Sequence, residues 1–330
     1  MANEPLIVGL GEALVRFTAT NNIPLAAAQD YRAYVAGAEL NVLIAARALG
    51  ASSRFVTRLP KNELANLVRR HVGTNGVELV ALEEEGGRMG TFFLEVGAPP
   101  RPSTVLYDRA NSAASHLGAA DFDWTALLQG AGAAHTTGIT CALGEAREAV
   151  RAFFEAARAS GVMTSFDVNY RSQLWTPNEA ASVVRSLLDQ VDVLFASEED
   201  LHMLLGTSLP FLEGAQEVRR RYGIGTVMVR EREQLPSGGF LVRVHLIADD
   251  VTNAEATGQV IDELGAGDAA AGAFLAATLR GRLPRLWPSR WPASTRECSL
   301  SPVIRGWARS RTSRRSTARP DRCCDDGAKL

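Results

Sequence analysis

A glycine-rich turn that leads into an apolar helix carries the residue types best suited to chemistry in this chain. Its sequence is Asp262-Glu-Leu-Gly265-Ala266-Gly267-Asp268, followed by Ala-Ala-Ala-Gly-Ala-Phe274. Backbone N–H groups at a helix start lack partners within the helix and lie at the positive end of its dipole, so they bind anions. A carboxylate in that turn is a poor phosphate ligand, but it can accept the proton of a hydroxyl that attacks a phosphate. The segment therefore predicts an anion site with Asp268 as its general base.

Two other interpretations fit this segment when it is taken alone. Glycines often serve only as turns, and an Asp in the first helical turn is a common partner of the helix dipole. Residues 265–270 also satisfy a loose G-x-G-x-x-A dinucleotide fingerprint. That fingerprint requires an acid about 20 residues further on, where this chain is instead rich in Pro and Arg. We therefore exclude a nicotinamide dinucleotide site, while the purely structural interpretation stays open.

Polar side chains also follow strand-like segments, which is where the ligands of open α/β sheets bind. Asn169 and Arg171 come directly after the apolar segment that ends near Asp167. An arginine there can form bidentate bonds to a carboxylate or a phosphate. The alternative is an Asx turn at Asp167 with Arg171 in solvent, and the residues alone leave both open.

A second such segment, Ser197-Glu-Glu-Asp200, runs from a predicted strand into a predicted helix. Acids in the first turn of a helix interact favourably with its dipole, and carboxylates near bound phosphates also hold magnesium. We expect capping to be the role of these acids and keep Asp200 as a candidate metal ligand.

Two further pairs of residues are candidates for substrate contacts. Tyr107 and Arg109 close a short strand from which they would reach an anionic substrate, although taken alone this is an ordinary strand end. Gly37 permits close backbone approach, and the amide of Asn41 can bind hydroxyl groups. The structural alternative is that Gly37 is a loop glycine and Asn41 a helix N-cap.

Composition and missing motifs exclude several classes of function. The chain is 46% hydrophobic and 22% charged, which is typical of a globular protein, and its net charge of −2 predicts no general attraction to nucleic acid or membranes. It contains no Gly-Lys dipeptide and therefore no P-loop, and its His and Cys residues show no metal-ligand spacing. We expect a cytoplasmic enzyme without a membrane span or a nucleic-acid partner.

The first 280 residues alternate strand-like and helix-like segments, which predicts a mostly parallel sheet with helices on both faces. Apolar runs predict buried strands at residues 6–10, 133–139, 162–168, 193–196 and 226–229. Helical periodicity predicts helices at residues 41–49, 62–72 and 150–157. Short strand-like segments at residues 13–18, 31–35, 91–96 and 103–107 predict a small β lid over the strand ends.

The C-terminal end of the chain differs in composition from the rest. Residues 281–330 contain 12 Arg or Lys and four acids, a net charge of +8, which leaves −10 for residues 1–280. They hold three of the five Trp and three of the four Cys, without helical or alternating periodicity. We interpret this aberrant basic tail as the product of a reading-frame shift; a disordered tail and a nucleic-acid-binding arm are the alternatives. Residues 231–256 are loosely patterned as well, and we interpret them as a second local frame disturbance.

Four ordered motifs within residues 5–280 resemble the ribokinase/PfkB family of carbohydrate kinases. Gly37-Ala-Glu-Leu-Asn41 and the helix after it resemble the N-terminal signature of that family, and residues 262–274 resemble its C-terminal signature, D-x-x-G-A-G-D. Phe166-Asp-Val-Asn-Tyr-Arg171 and Ser197-Glu-Glu-Asp-Leu201 are similar to the branch that phosphorylates 2-keto-3-deoxygluconate. No one of these motifs is specific alone, but their order along the chain is.

The resemblance implies a fold and a reaction. Residues 1–280 would form a ribokinase-like three-layer α/β/α sandwich with a small β-sheet lid, the lid strands lying near residues 11–36 and 90–110. The reaction would be ATP-dependent phosphorylation of 2-keto-3-deoxygluconate, a sugar acid, to its 6-phosphate. Mg2+ would accompany ATP, and the resemblance is compatible with a homo-oligomer.

The resemblance also implies roles for individual residues. Asp268 would be the catalytic base, and the N–H groups of Gly265, Ala266 and Gly267 would form the anion hole. The residues implied in sugar-acid binding are Gly37, Asn41, Tyr107, Arg109, Asn169 and Arg171. We also expect Ser197, Arg230, Gly265 and Gly267 to bind ATP, and Asp200 stays the candidate metal ligand.

The chain departs from the family pattern on the nucleotide side. Glu263 stands where the family has Thr or Pro, and Ala270 where it has an aromatic residue. The segment after Arg230 lacks the lysine and glycines of the family, whose final helices have no counterpart after residue 280. Two alternatives remain: a kinase of a neutral sugar such as fructose, against which Arg109 and Arg171 argue, and a catalytically impaired relic that still binds a sugar acid.

Overall fold

Strands and helices alternate along the chain, as the apolar pattern predicts. The computed structural model describes residues 4–97, 101–206, 208–235, 240–258 and 264–281. The predicted tail beyond residue 281 and the motif residues Asp262 and Glu263 lie outside these ranges, so the interpretations placed on them stay predictions. Within these ranges, no helix has the length and apolar composition needed to cross a bilayer.

The strands form two sheets with different surroundings. In chain order they are β1 (Leu6–Leu10), β2 (Leu14–Ala19), β3 (Tyr31–Ala36), β4 (Ser52–Pro60), β5 (Glu78–Glu84), β6 (Thr91–Glu95), β7 (Thr104–Asp108), β8 (Ala131–Thr137), β9 (Met163–Asp167), β10 (Val193–Ala196), β11 (Thr226–Gln234), β12 (Phe240–Ile247) and β13 (Val251–Gly258). The main sheet has the order β13-β12-β11-β10-β9-β8-β1-β4-β5, and the lid has the order β3-β2-β6-β7. The main sheet is parallel from β5 to β11, because each crossover contains a helix, and antiparallel from β11 to β13.

Helices cover both faces of the main sheet. They are α1 (Ala38–Ala48), α2 (Glu63–Thr74), α3 (Trp124–Leu128), α4 (Gly138–Cys141), α5 (Ala146–Ala159), α6 (Pro177–Arg185), α7 (Glu198–Leu205), α8 (Phe211–Tyr222) and α9 (Ala266–Leu279). One apolar core lies between the sheet and α5, α6, α7 and α8, and a second lies between the sheet and α1, α2 and α9. The predicted three-layer α/β/α sandwich with a small lid is confirmed.

The predicted stripe on α5 shows how sequence periodicity becomes burial. Val150, Phe153, Phe154 and Ala157 recur at helical spacing, and all four are fully buried. The ring of Phe154 meets that of Phe166 on the sheet edge to face, at a centroid distance of 6.3 Å. Burying side chains of this size stabilises the fold by roughly 1.5–3 kcal/mol each.

Helices α1 and α9 pack closely enough to bring distant motifs together. A Cβ on Gly272 of α9 would overlap the carbonyl oxygen of Val42 on α1 and would lie 2.9 Å from the Cβ of Ala45. The absence of a side chain at Gly272 therefore sets the separation of the two helices. This contact places the N-terminal turn of α1 beside the N-terminal turn of α9.

The structure corrects three details of the sequence-based prediction. The described residues of the range 231–256 form regular strands: β11 continues to Gln234 and pairs with β12, which pairs with β13. Arg243 on β12 bonds to Glu233 on one side and Glu255 on the other, and such cross-strand pairs are invisible until the strands are aligned. The strand predicted to end at Ile139 ends at Thr137, whose hydroxyl caps the short helix α4. Strands β4 and β5 were not predicted.

Candidate active site

The N-terminus of α9 has the geometry of an anion site. Gly265 is the N-cap residue, and its φ of 85° lies in the left-handed region that favours glycine. Because α9 begins at Ala266, the N–H groups of Ala266, Gly267 and Asp268 have no carbonyl partner inside the helix. They also lie at the positive end of the helix dipole. The predicted anion hole and the predicted base are therefore in one turn of the chain.

Asn41 and Asp268 are hydrogen-bonded although 227 residues separate them in the chain. Nδ2 of Asn41 donates to Oδ2 of Asp268 over 2.8 Å, and both residues are buried. The N-cap of α1 is Gly37, whose carbonyl oxygen accepts a hydrogen bond from the N–H of Asn41 at 2.9 Å. The alternative that Asn41 is a helix N-cap is therefore wrong, and Asn41 orients one oxygen of Asp268.

The surroundings of Asp268 act on its pKa in opposite directions. Burial raises the pKa above the ordinary value of an Asp, because the charged form loses its hydration. The hydrogen bond from Asn41 and the positive charges of Arg171 and Arg230 lower it. Since the net effect is a raised pKa, the carboxylate binds a proton more strongly than an exposed Asp does, which suits a general base.

Arg230 lies against the N-terminal turn of α9. A Cβ on Gly267 would lie 2.6 Å from both Nη1 and Nη2 of Arg230, so glycine at position 267 makes room for the guanidinium. A cation beside a helix N-terminus is disfavoured by the helix dipole. The charge of Arg230 lowers the pKa of three buried acids, Asp167, Asp200 and Asp268. The attraction of Arg230 to these acids offsets its unfavourable interaction with the helix dipole. Arg230 thus faces the turn in which the anion hole was predicted.

Asp167 and Asn169 form the Asx turn that was one of two predicted alternatives. Oδ1 of Asp167 accepts a hydrogen bond from the N–H of Asn169 at 3.1 Å, and Asn169 has a φ of 41°, a conformation that Asn tolerates better than most residues. Burial raises the pKa of Asp167 to about 7. The charge of Asp268 adds to this increase, and the charge of Arg230 opposes it. Arg171 is exposed, as that alternative has it, and its charge lowers the pKa of both Asp167 and Asp268; its bond to a substrate anion stays a prediction.

Ser197 and Asp200 form a capping box at the start of α7, as expected. The N–H and hydroxyl of Ser197 donate to Oδ2 of Asp200 at 2.8 and 2.7 Å, and the N–H of Asp200 donates back to Oγ of Ser197. Burial raises the pKa of Asp200. Among the described residues, no group of three or more His, Cys, Asp or Glu side chains is arranged to hold a metal ion.

In the lid, the predicted residue Arg109 contacts Glu12, which the sequence analysis did not single out. Nη2 of Arg109 donates to Oε2 of Glu12, and both side chains are buried. The hydroxyl of Ser112 donates to the other oxygen of Glu12. The guanidinium of Arg109 also lies 5.7 Å from the centre of the Tyr107 ring. These contacts place Arg109 in a buried ion pair.

Two further buried charged residues, Glu39 and Arg16, were not identified by the sequence analysis. Oε1 of Glu39 on α1 accepts hydrogen bonds from the hydroxyls of Thr137 and Thr140, and burial raises its pKa, with the charge of Asp268 adding to the effect. Arg16 on β2 is 2% exposed and lies 4.6 Å from the centre of the Tyr34 ring. Glu39 stands inside a quoted motif and could have been noticed there, whereas only strand pairing brings Arg16 opposite Tyr34.

A comparison with protein families agrees with this arrangement. The model of the pfkB family carbohydrate kinases matches residues 4–284. The chain belongs to the pfkB family of carbohydrate kinases. It is therefore an ATP-dependent sugar kinase, and the expectation drawn from the four motifs is confirmed at that level.

Several relatives of this pfkB-family kinase act on sugar acids. It is 33% identical to the 2-dehydro-3-deoxygalactonokinase of Haloferax volcanii over 83% of this chain and 85% of that protein. It is 33% identical to the 2-dehydro-3-deoxygluconokinase of Thermoproteus tenax over 84% of this chain and 83% of that protein. The crystal structure of the 2-dehydro-3-deoxygluconokinase of Thermotoga maritima matches with a TM-score of 0.79 and 34% identity, covering 84% of this chain and 88% of that one.

Proposed function

We propose that this kinase transfers the terminal phosphoryl group of ATP to the 6-hydroxyl of 2-keto-3-deoxygluconate, which is another name for 2-dehydro-3-deoxygluconate. The observation that carries the proposal is the Asn41–Asp268 hydrogen bond at the start of α9, within the electrostatic reach of Arg171 and Arg230. It combines a buried carboxylate base, backbone N–H groups that have no carbonyl partner within their helix, and two cations. A kinase of a sugar acid needs these three components.

In the proposed reaction Asp268 accepts the proton of the attacking hydroxyl. The hydroxyl oxygen forms a bond to the terminal phosphorus of ATP, and the bond from that phosphorus to the bridging oxygen breaks, so that ADP leaves with the electron pair. The N–H groups of Gly265, Ala266 and Gly267 and the guanidinium of Arg230 would stabilise the negative charge of the transferred group. Ser197 is proposed to contact the nucleotide as well.

Arg171 supports the choice of a sugar acid over a neutral sugar. Its side chain is exposed, and its charge acts on both Asp167 and Asp268. A carboxylate on the substrate would pair with this guanidinium, whereas a neutral sugar offers it no charge. Gly37, Asn41, Tyr107, Arg109 and Asn169 are the remaining proposed contacts of the sugar acid.

The residues present fit a magnesium ion that accompanies ATP. Mg2+ is usually held by one or two carboxylates together with phosphates and water. Asp200 is the proposed ligand, because its charge raises the pKa of Asp167 and a bound cation would relieve the repulsion between these acids. When bound, the ion would neutralise charge on the phosphates.

The relative from Haloferax volcanii favours a second candidate substrate, 2-keto-3-deoxygalactonate. This compound differs from 2-keto-3-deoxygluconate only in the configuration at C4. Both share the carboxylate and the 6-hydroxyl, so the roles proposed for Asp268 and Arg171 apply to either. Steady-state kinetics with the two sugar acids and with fructose would rank the three candidates.

A test of the proposed base compares Asp268→Asn with the wild type in the full-length chain. We expect a loss of kcat of about 10²–10⁴-fold, because the amide cannot accept the proton. Binding of the sugar acid, measured by calorimetry, should persist, since Asn has the shape of Asp. ADP release with 2-keto-3-deoxygluconate is the activity to be measured.

The matched control is Asp249→Asn, which changes an exposed acid paired with Arg219 at the surface. It should retain wild-type turnover. A kcat of Asp268→Asn within about tenfold of wild type would remove Asp268 as the base. A wild-type protein that phosphorylates neither sugar acid would contradict the proposed function as a whole.

A further inference from the structure

Glu12 lies in the short connection between β1 and β2, where several segments of the lid meet. Its two carboxylate oxygens accept hydrogen bonds from Arg109 and Ser112, which follow β7. Just before β6, a Cβ on Gly90 would lie 2.5 Å from Oε1 of Glu12. Glu12 itself is 3% exposed. Its side chain therefore holds the segments before β6 and after β7 against the base of the lid.

The backbone of Glu12 contacts the first helix of the candidate site. A Cβ on Gly37 would lie 2.6 Å from the carbonyl oxygen of Glu12, so the N-cap of α1 packs directly on this residue. Four residues further along, α1 presents Asn41 to Asp268. Glu12 thus contacts the lid through its side chain, and through its backbone it contacts the helix that orients the proposed base.

Arg109 has a buried hydrogen-bond donor that the described residues do not satisfy. Its Nη2 is paired with Glu12, but its Nε has no hydrogen-bond partner among them, although the residue is only 6% exposed. Leaving a buried donor without a partner costs free energy. An anionic oxygen of a bound ligand would satisfy this N–H.

We propose that Glu12 is a positioning residue for substrate recognition: it holds the guanidinium of Arg109 in the orientation that presents Nε–H to the carboxylate of the sugar acid. The inference rests on the proposed function. Since Glu12 neutralises Arg109, the pair adds little net charge to the lid, and the contribution of Arg109 depends on its orientation. Removal of the Glu12 charge therefore acts on substrate binding and not on the phosphoryl transfer at Asp268.

The test is Glu12→Gln in the full-length chain, which preserves the shape of the side chain but not its charge. We expect KM for 2-keto-3-deoxygluconate to rise by about tenfold or more while kcat stays within about threefold of wild type. The matched control is Asp108→Asn, the neighbour of Arg109, which forms an exposed ion pair with Arg88. That variant should keep both constants within about twofold of wild type.

A double-mutant cycle shows whether Glu12 acts through Arg109. Glu12→Gln should change KM no further in an Arg109→Gln background, because the group that it positions is then absent. A KM of Glu12→Gln that is lowered or within about twofold of wild type would overturn the inference. An equal effect of Glu12→Gln in both backgrounds would overturn it as well.

A second variant covers the case in which Glu12→Gln fails to fold. Ser112→Ala removes one hydrogen bond to Glu12 and leaves its charge, and it should raise KM by about threefold or more; an unchanged KM overturns the inference. If the wild type turns over the sugar acid and the variants have an unchanged KM, only the role of Glu12 is overturned. Absence of wild-type turnover and of sugar-acid binding overturns the proposed function and this inference together.

Discussion

At the scale of single residues, Asp268 owes its character to opposing surroundings. Burial raises its pKa, and a hydrogen bond from Asn41 lowers it while fixing one oxygen. Burial alone favours the protonated acid, and hydrogen bonds with full solvation favour the charged carboxylate, which is then a weak base. The balance of the two is what lets one carboxylate take a proton from a sugar hydroxyl.

Replacement of Asn41 by Leu should change the pH profile of the kinase. Without the donated hydrogen bond the pKa of Asp268 rises further, since that bond stabilises the charged form. The acidic limb of kcat/KM should therefore move to higher pH, which the pH dependence of initial rates would measure. Asn66→Leu on the exposed side of α2 serves as the control. A profile that keeps its shape and only decreases in height would contradict the role of Asn41.

Substrate selectivity should depend on Arg171. Arg171→Gln removes a charge that would pair with the carboxylate, and hydrogen bonds to charged groups contribute about 1.5–3 kcal/mol, or roughly 10–100-fold in selectivity. The preference for a sugar acid over fructose, measured as the ratio of kcat/KM values, should fall accordingly. Arg158→Gln, which breaks a half-exposed pair with Asp192, should leave the ratio unchanged. An unaltered ratio in Arg171→Gln would reject the carboxylate role.

At the scale of elements, the contact between α1 and α9 holds the site together. Val42 on α1 faces Gly272 on α9, one turn beyond Asp268, and no side chain fits between them. Two local helices, each recognisable from its own sequence, become one site only through this contact. The Asn41–Asp268 distance is a property of the helix pair.

Substitution of Gly272 by Ala should therefore affect both stability and turnover. The added Cβ forces the helices apart, and overpacking of this kind costs about 1–3 kcal/mol of unfolding free energy. Gly73→Ala on α2 is the matched control, because a Cβ there meets nothing within 4 Å. It should stabilise the helix by roughly 0.5–1 kcal/mol. Thermal unfolding and kcat should be measured for both variants. If Gly272→Ala changes neither stability nor turnover, the two helices can adjust to the added Cβ.

At the scale of the whole molecule, the buried acids make stability depend on pH. The pKa of Asp167 is about 7 in the folded state and 3.8 for an ordinary Asp. The folded state therefore holds this proton more tightly than the unfolded state. Its contribution is fully present below pH 3.8 and is lost as the pH rises through about 7.

Asp167→Asn should reduce this dependence on pH. The wild type should lose up to about 4 kcal/mol of unfolding free energy from this group, most of it between about pH 4 and pH 7. The variant should lose less, which denaturant unfolding at the two pH values would measure. Asp249→Asn at the surface should behave as wild type does. Equal pH dependence in wild type and Asp167→Asn would show that the carboxyl is not the cause.

Much of the fold was predictable because its signals are local. The stripe Val150–Phe153–Phe154–Ala157 and the capping residues Ser197 and Asp200 act within a few positions of each other, so their roles follow from spacing. Strands β12 and β13 were missed because their charged residues look misplaced until the cross-strand pairs of Arg243 are formed.

The sequence alone indicates the elements with strong local periodicity, the family motifs and the turn at Gly265, whose left-handed conformation needs a glycine. The folded chain alone shows that Asn41 bonds to Asp268, that Arg230 faces Gly267 and that Arg109 is paired with Glu12. The physical reason is that burial and charge pairing act through space. Residues far apart in the chain set the pKa and the orientation of each functional group, and no local pattern records which of them will meet.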